Sequence, residues 1–252
     1  MTATQMLPFL SSAVIAVFAL LVFRRYRQRG GTHLLLWGVG LVMFGIASFA
    51  EAYSALAWHP TVFRLWYLNG AILNAAWLGQ GTVFLLARRK SVARALLGVL
   101  AAGSLAAASM VFTTPLDASR FTPAEPLSVQ YREATTPSGE VRPGILPRGA
   151  PVRRITPLFN IYGTVTLVGG ALYSAWLLYR KEIVPQKVVG NILIAAGALS
   201  LAAASTLVRL GLADVLYLAE LAAAVLMFAG FVLATVRVPS PAPAPAAGRA
   251  AS

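Results

Sequence analysis

The chain has 252 residues, of which 58% are hydrophobic and only 12% are charged. A soluble domain usually carries about 25% charged residues, whereas here the apolar residues form blocks of roughly 20, the length that crosses a bilayer. The net charge of +13 does not indicate a nucleic-acid partner, because the cations lie in short clusters between the apolar blocks. The absence of cysteine excludes disulfides, thiolate metal sites and cysteine nucleophiles. The composition therefore predicts a multi-pass membrane protein that has the lipid bilayer as its first partner.

The first apolar block does not have the flanks of a signal peptide. No charged side chain precedes it, and the basic cluster RRYRQR at 24–29 follows it, whereas a signal peptide carries its positive charges first. We count this block as a span and predict an all-α fold, a bundle of seven transmembrane helices. The predicted spans are 7–23, 33–57, 62–87, 92–112, 157–179, 187–210 and 213–236.

The connections between the blocks alternate in charge. Those after the first, third and fifth blocks hold several cations each, whereas those after the second and sixth hold one and none. The positive-inside rule then places the N-terminus outside and the C-terminus inside a bacterial inner membrane. Residues 1–238 form the predicted transmembrane domain, and the Pro/Ala-rich residues 239–252 are expected to be a disordered cytoplasmic tail.

The longest connection, 113–156, is external in this orientation. Its segment LSVQYRE at 127–133 alternates apolar and polar residues, TTPSGE follows with residues typical of turns, and VRPGIL comes next. This pattern predicts a short β-hairpin. A connection of this length is usually functional, and we expect it to cover the outer mouth of the bundle as a lid.

Several polar residues lie inside the predicted outer leaflet. Glu51, Asn69 and Glu220 are each about six residues from the outer end of their span, which is roughly 9 Å below the surface. Ionisable groups in a membrane usually have a function, so we predict an outward-facing pocket for an unknown small ligand. The candidate ligand-binding residues are Glu51, Asn69, Asn160, Glu220, Tyr217, Arg209 and Arg64.

The polar layer is also compatible with a structural subunit or with a transporter. In a structural or assembly subunit, Glu51 pairs with Arg64 or Arg209 and Glu220 pairs with the other arginine. In a small-solute transporter, the weak match of span 3 to span 7 at an offset of 150 residues indicates three plus one plus three helices. A transporter needs a path to the cytoplasm, for which Gln80 and Asn191 are the candidates; Asn69 and Gln80 are three helical turns apart and so are predicted to share a face.

Enzymatic and cofactor chemistry is not indicated by the sequence. The three lysines lie in the connections, which excludes a retinal Schiff base inside a span. His33 and His59 flank the second span on opposite sides of the membrane, so they cannot share a metal or a haem. No nucleophile motif or phosphate-binding loop accompanies the carboxylates. We therefore predict no catalytic residues, no metal and no cofactor.

Two resemblances add to these expectations. NIYGTVTLVGGALYSAW, followed by VVGNILIAAGAL, resembles a stretch of uncharacterised bacterial seven-helix membrane proteins. The first three spans are similar to the seven-helix sensor region of some histidine kinases, in their basic first loop, an acidic residue late in span 2 and the FRLWYL entry to span 3. The second resemblance implies ligand sensing, and we expect such a sensor to act through a separate signalling partner protein.

Overall fold

A computed structural model describes residues 3–123, 125–135, 141–181, 185–209 and 215–235. These residues are mostly helical, and five helical segments are long and apolar enough to cross a membrane. The chain is therefore a helical membrane protein, as its composition predicts. The predicted Pro/Ala-rich tail at 239–252 lies outside the described residues. The five segments are Met6–Arg29, Thr32–Ser54, Lys90–Thr113, Val152–Arg180 and Val215–Thr235.

Two further helical runs, 60–86 and Pro185–Arg209, coincide with predicted spans 3 and 6. The first run widens into a π-helical segment at Tyr67–Leu73, and the run through 152–180 widens likewise at Val165–Gly169. Such π segments occur mostly as short interruptions of α-helices, often at functional sites. The helices are α1 (Ala3–Arg29), α2 (Thr32–Ser54), α3 (Pro60–Trp66), α4 (Asn74–Leu86), α5 (Lys90–Thr113), α6 (Leu127–Gln130), α7 (Val152–Thr164), α8 (Gly170–Arg180), α9 (Pro185–Arg209) and α10 (Val215–Thr235).

The turn between α1 and α2 is a pair of glycines. Gly30 and Gly31 have φ angles of 65° and 101°, a region that residues with a side chain rarely adopt. The basic cluster at 24–29, predicted as a connection, instead continues α1 to Arg29. Cations suit the last turn of a helix because the carbonyl end of the helix dipole is negative.

Glycines allow the closest helix contacts of the bundle. A Cβ added at Gly190 of α9 would lie 2.6 Å from the backbone nitrogen of Ala234 in α10, and one at Gly163 of α7 would lie 2.4 Å from the backbone carbon of Ala75 in α4. Helices in lipid gain no hydrophobic free energy by associating, so close van der Waals packing at small residues stabilises their contacts. Elsewhere large apolar side chains fill the bundle, including Phe18, Leu41, Leu78, Met227 and Phe231.

The outer faces of the helices are apolar as well. On α5, Val99 is 72% exposed and Leu105 is 75% exposed. A helix that is apolar all round belongs in a bilayer rather than in water.

The long connection spans 114–151, because α5 ends at Thr113 and α7 begins at Val152 rather than at the predicted residue 157. The predicted first strand of its hairpin is wrong, because Leu127–Gln130 is a helical turn, α6. Strand β1 (Ala134–Thr135) pairs antiparallel with β2 (Val141–Arg142), and the residues between them lie outside the description. Leu127, Ile145 and Leu146 are buried against Phe63 and Trp66 of α3, so this connection packs onto one end of the bundle.

Candidate functional site

Glu51 ties three separate parts of the fold together. It lies in the last turn of α2 and is 2% exposed. Its Oε1 accepts a hydrogen bond from the backbone N–H of Leu127 at 2.8 Å and another from the hydroxyl of Tyr217 at 3.1 Å. Leu127 begins α6, where N–H groups have no partner within the helix. The carboxylate therefore fixes the loop 114–151 to α2 and α10.

Arg64, one of the two arginines predicted to pair with the intramembrane carboxylates, bonds backbone carbonyls instead. Arg64 donates to the carbonyls of Val111 and Thr114, at 3.3 and 3.2 Å, where the end of α5 leaves carbonyls without helical partners. Among the described residues, the ion pairs lie in the loop 114–151 and its junction with α7, and none includes Glu51 or Glu220. The side chain of Arg209 lies outside the description.

A cavity of about 560 Å³ is lined in part by Ser48 of α2 and Glu220 of α10. Ligand pockets in proteins usually have volumes of about 300–1,000 Å³. Its lining comes from α2, the helical run 66–75, the loop residues 128–132, α7, α9 and α10. The lining residues from α2, α9 and α10 are Phe44, Ala47, Ser48, Ala198, Leu201, Leu216 and Glu220.

Three lining residues carry buried polar atoms without a hydrogen-bond partner among the described residues. These atoms are the Oγ of Ser48, the Oγ of Ser128 and the Oε2 of Glu220. Buried polar groups in proteins nearly always have a partner, and leaving one without a partner costs about 1–3 kcal/mol. Three such atoms around one cavity are therefore groups that a bound molecule or water would satisfy.

The loop side of the cavity carries positive charge. Arg132 and Arg153 both line it. Arg153 also donates to Glu133, with 3.3 Å between Nη1 and Oε1, and the guanidinium of Arg132 lies 5.7 Å from the ring centre of Tyr131. Glu133 also lies 3.9 Å from Arg148, and none of the ion pairs among the described residues includes Arg132. Arg132 therefore contributes positive charge to this side of the cavity.

Aromatic rings form the part of the lining next to these arginines. The ring centre of Tyr131 lies 5.9 Å from that of Trp66 and 5.7 Å from that of Tyr67. These separations are typical of interacting aromatic pairs. The hydroxyl of Tyr67 bonds the Oγ1 of Thr156 on α7 at 3.1 Å, which fixes the ring against the cavity.

The two predicted asparagines differ in position. Asn160 lines the cavity, and its Nδ2 donates to the carbonyl of Ala71 at 2.9 Å, inside the first π segment. The wide π turn is thus tied to α7 beside the cavity. Asn69 is not among the described lining residues, because its Nδ2 bonds the carbonyl of Leu65 at 2.9 Å on its own helix.

The predicted polar stripe toward the other membrane face is not formed by the described residues. Gln80 is fully buried; its Nε2 donates to the carbonyl of Ala93 at 2.8 Å and its Oε1 accepts from Tyr162. Asn191 bonds its own helix at Lys187. The π segment between Asn69 and Gln80 also breaks the regular spacing from which a shared face was predicted.

A second cavity deeper in the bundle is small. Its volume is about 50 Å³, against about 560 Å³ for the large cavity. Phe18, Leu41, Leu78 and Met227 are prominent among its mostly apolar lining. Apolar packing thus lies between the large cavity and the far end of the bundle.

Of the predicted site residues, Asn160 and Glu220 line the cavity, whereas Glu51 and Tyr217 bond each other and are not among its described lining residues. Sequence reasoning missed other lining residues. Ser48 was detectable, because it is three residues before Glu51 and so lies on the same helix face. Ser128, Tyr131, Arg132 and Arg153 gave no such indication, since only the folded loop places them over the bundle. In the parts of the chain that the structure describes, no group of three His, Asp or Glu side chains could hold a metal ion.

No protein family matches the chain, and no curated protein or solved structure matches it significantly. The site's geometry is therefore the basis for assigning a function.

Proposed function

We propose that this is a seven-span protein of a bacterial inner membrane, with its N-terminus outside, that binds a small ligand from the outer side and acts as a sensor or binding protein without enzymatic activity. Five membrane-compatible segments and two further long helical runs support the count of seven. The basic connections support the orientation, which places the loop 114–151 and the cavity outside.

The observation that supports binding most strongly is the composition of the cavity. Its volume suits a small molecule, and its lining combines aromatic and apolar surface with a few polar groups, as ligand sites usually do. Ser48, Ser128 and Glu220 supply polar atoms that no described residue satisfies. A ligand that forms hydrogen bonds with these atoms would bind in preference to one that does not.

The position of Glu51 gives binding a means of affecting the rest of the molecule. The same carboxylate oxygen contacts the loop through Leu127 and α10 through Tyr217, and Glu220 lies one turn after Tyr217 on α10. A ligand that contacts Glu220 and Ser128 would therefore bias the relative positions of the loop and α10. A ligand shifts the equilibrium between two arrangements of the loop and α10 only if it binds one of them more tightly. A separate membrane partner would respond to that shift.

A transporter is less well supported by the same interior. Gln80 and Asn191, the candidates for a path through the inner half, bond to backbone carbonyls. The small deeper cavity is lined mostly by apolar side chains. Binding without net flux is the function that this interior favours.

The experiment is a thermal unfolding screen of purified protein against small metabolites, lipids and ions. A ligand should raise the Tm of the wild type, and Glu220→Gln should abolish that shift while unfolding near the wild-type temperature. Glu125→Gln is the matched control, because Glu125 pairs with Arg142 in the loop, away from the cavity lining. The proposal fails if no compound shifts the wild type, or if both variants respond to the ligand as the wild type does. Net uptake of the ligand into proteoliposomes would favour the transporter instead.

A further inference from the structure

The cavity wall formed by α2, α9 and α10 carries a carboxylate and no cation among its described residues. Glu220 is its ionisable group, and the Oγ of Ser48 is a second unpartnered acceptor there. A carboxylate away from water needs an opposite charge or hydrogen-bond donors. An ammonium group supplies both, since it carries a positive charge and donates hydrogen bonds.

The loop side has the opposite character. Arg132 and Arg153 line the cavity there, and Glu133 bonds Arg153. A guanidinium binds carboxylate and phosphate groups through paired, charge-assisted hydrogen bonds. This side is therefore suited to the anionic group of a ligand.

The aromatic rings in the same lining suit the carbon skeleton of a short zwitterion. Trp66, Tyr67 and Tyr131 line the same cavity. Aromatic faces pack well against methylene groups and attract cations through the ring quadrupole. They would hold a ligand whose two charges lie at opposite ends of a short chain.

One rim of the cavity is exposed on the surface of a membrane-compatible segment. Ile161 lines the cavity and yet is 61% exposed, and Pro157 one turn earlier is also exposed. Both lie within the membrane-compatible segment Val152–Arg180. An acyl chain could leave the cavity past these residues, so the ligand could be a free zwitterion or the headgroup of a lipid.

We infer that the cavity takes a zwitterion, with its ammonium group at Glu220 and Ser48 and its phosphate or carboxylate at Arg132 and Arg153. This inference rests on the proposed binding function and adds the chemical class of the ligand.

The test measures binding to purified protein in detergent by calorimetry. Phosphoethanolamine and 4-aminobutyrate are the zwitterionic probes, ethanolamine is the cation, inorganic phosphate is the anion and glycerol is the neutral probe. At least one zwitterion should bind at least about tenfold more tightly than each of the other probes, because only a zwitterion engages both sides.

Three variants assign the two ends of the ligand. Glu220→Gln should weaken the zwitterion and ethanolamine by about tenfold or more, whereas Arg132→Gln should weaken the zwitterion and inorganic phosphate but leave ethanolamine unchanged. Arg120→Gln is the control, because Arg120 belongs to the same loop, pairs with Asp117 and is not among the described lining residues of the cavity. It should bind every probe as the wild type does.

A lipid arm distinguishes the two sources. The protein is placed in nanodiscs of phosphatidylglycerol, with or without phosphatidylethanolamine, and titrated with phosphoethanolamine. Binding that phosphatidylethanolamine competes away identifies a lipid headgroup, and binding that is insensitive to this lipid identifies a soluble zwitterion; both results support the inference.

The inference is overturned if no zwitterion binds better than ethanolamine or phosphate alone, or if Glu220→Gln leaves zwitterion binding unchanged. A neutral ligand that binds in the cavity would overturn the zwitterion but leave the proposed function intact. Failure of every compound in both screens would overturn the two together.

Discussion

The carboxylate of Glu51 provides a quantitative prediction. Glu51→Ala removes the acceptor for the N–H of Leu127 and the hydroxyl of Tyr217, which it binds at 2.8 and 3.1 Å. Leu127 is fully buried, so its N–H cannot turn to water, and an unsatisfied buried donor costs about 1–3 kcal/mol. The hydroxyl of Tyr217 has more freedom and adds about 1 kcal/mol. The attachment of the loop should therefore weaken by roughly 2–4 kcal/mol.

Hydrogen exchange followed by mass spectrometry measures this loss directly. A change of roughly 2–4 kcal/mol corresponds to an opening equilibrium increased about 30- to 700-fold. The faster exchange should be confined to peptides covering 114–133, while α9 exchanges as in the wild type.

Two variants serve as controls for Glu51→Ala. Glu51→Gln retains an acceptor oxygen and should change the opening equilibrium by less than about tenfold, and Tyr217→Phe removes one bond, worth about 0.5–1.5 kcal/mol. Wild-type exchange of the loop in Glu51→Ala would refute the reasoning, and so would Glu51→Gln behaving like Glu51→Ala.

Three further predictions concern parts of the molecule away from the cavity. Gly190→Ala should lower the stability of the helical domain by about 1–3 kcal/mol, because the new Cβ would meet the α10 backbone. The control Gly98→Ala, where nothing lies within 4 Å of the new Cβ, should not; denaturation in mixed micelles compares the two variants, and equal stabilities would contradict the packing of Gly190 against α10. Tyr162→Phe leaves the Oε1 of Gln80 without this donor and should cost about 1–3 kcal/mol without changing ligand affinity; lost affinity in a titration would place Gln80 in the ligand's path. The hydrogen bond from the Ser119 side chain, followed by Arg120, lowers the pKa of Asp117 below its ordinary 3.8. The stabilisation that Asp117 gives the loop is therefore present above pH 3.8 and lost as the pH falls through the lower native value; hydrogen exchange of peptides spanning 114–123 should show this loss in wild type but not in Asp117→Asn, and identical pH profiles would contradict it.

The sequence predicted those parts of the fold that depend on local pattern. Blocks of about 20 apolar residues place the helices well, although α1 and α7 each begin several residues earlier than predicted. Such blocks could not reveal the π segments at 67–73 and 165–169, which depend on how neighbouring helices pack. The alternation at 127–133 predicted a strand, yet Leu127–Gln130 forms a helical turn where Leu127 is buried and its N–H meets Glu51.

The sequence could predict which polar residues lie at a similar depth in their predicted spans. Similar positions within their spans grouped Glu51 with Tyr217, and the two side chains do bond each other. Depth alone does not say which way a side chain points, so Asn69 was grouped with them although it bonds its own helix. Arg132 of the loop and Arg153 in the first turn of α7 were missed because their place at the cavity depends on how the long connection folds.

The most direct test of a one-sided binding cavity uses single cysteines, since the natural chain has none. Ser48→Cys places a thiol at the cavity wall, Thr82→Cys places one at the small deeper cavity, and Gly149→Cys in the exposed loop reports the sidedness of the membrane vesicles. Each is treated with a membrane-impermeant thiol reagent in right-side-out and inverted vesicles. We expect Ser48→Cys to react only from the side that labels Gly149→Cys, and Thr82→Cys to react from neither side. Reaction of Ser48→Cys from both sides would indicate a continuous path and a transporter, and no reaction from either side would contradict an accessible cavity.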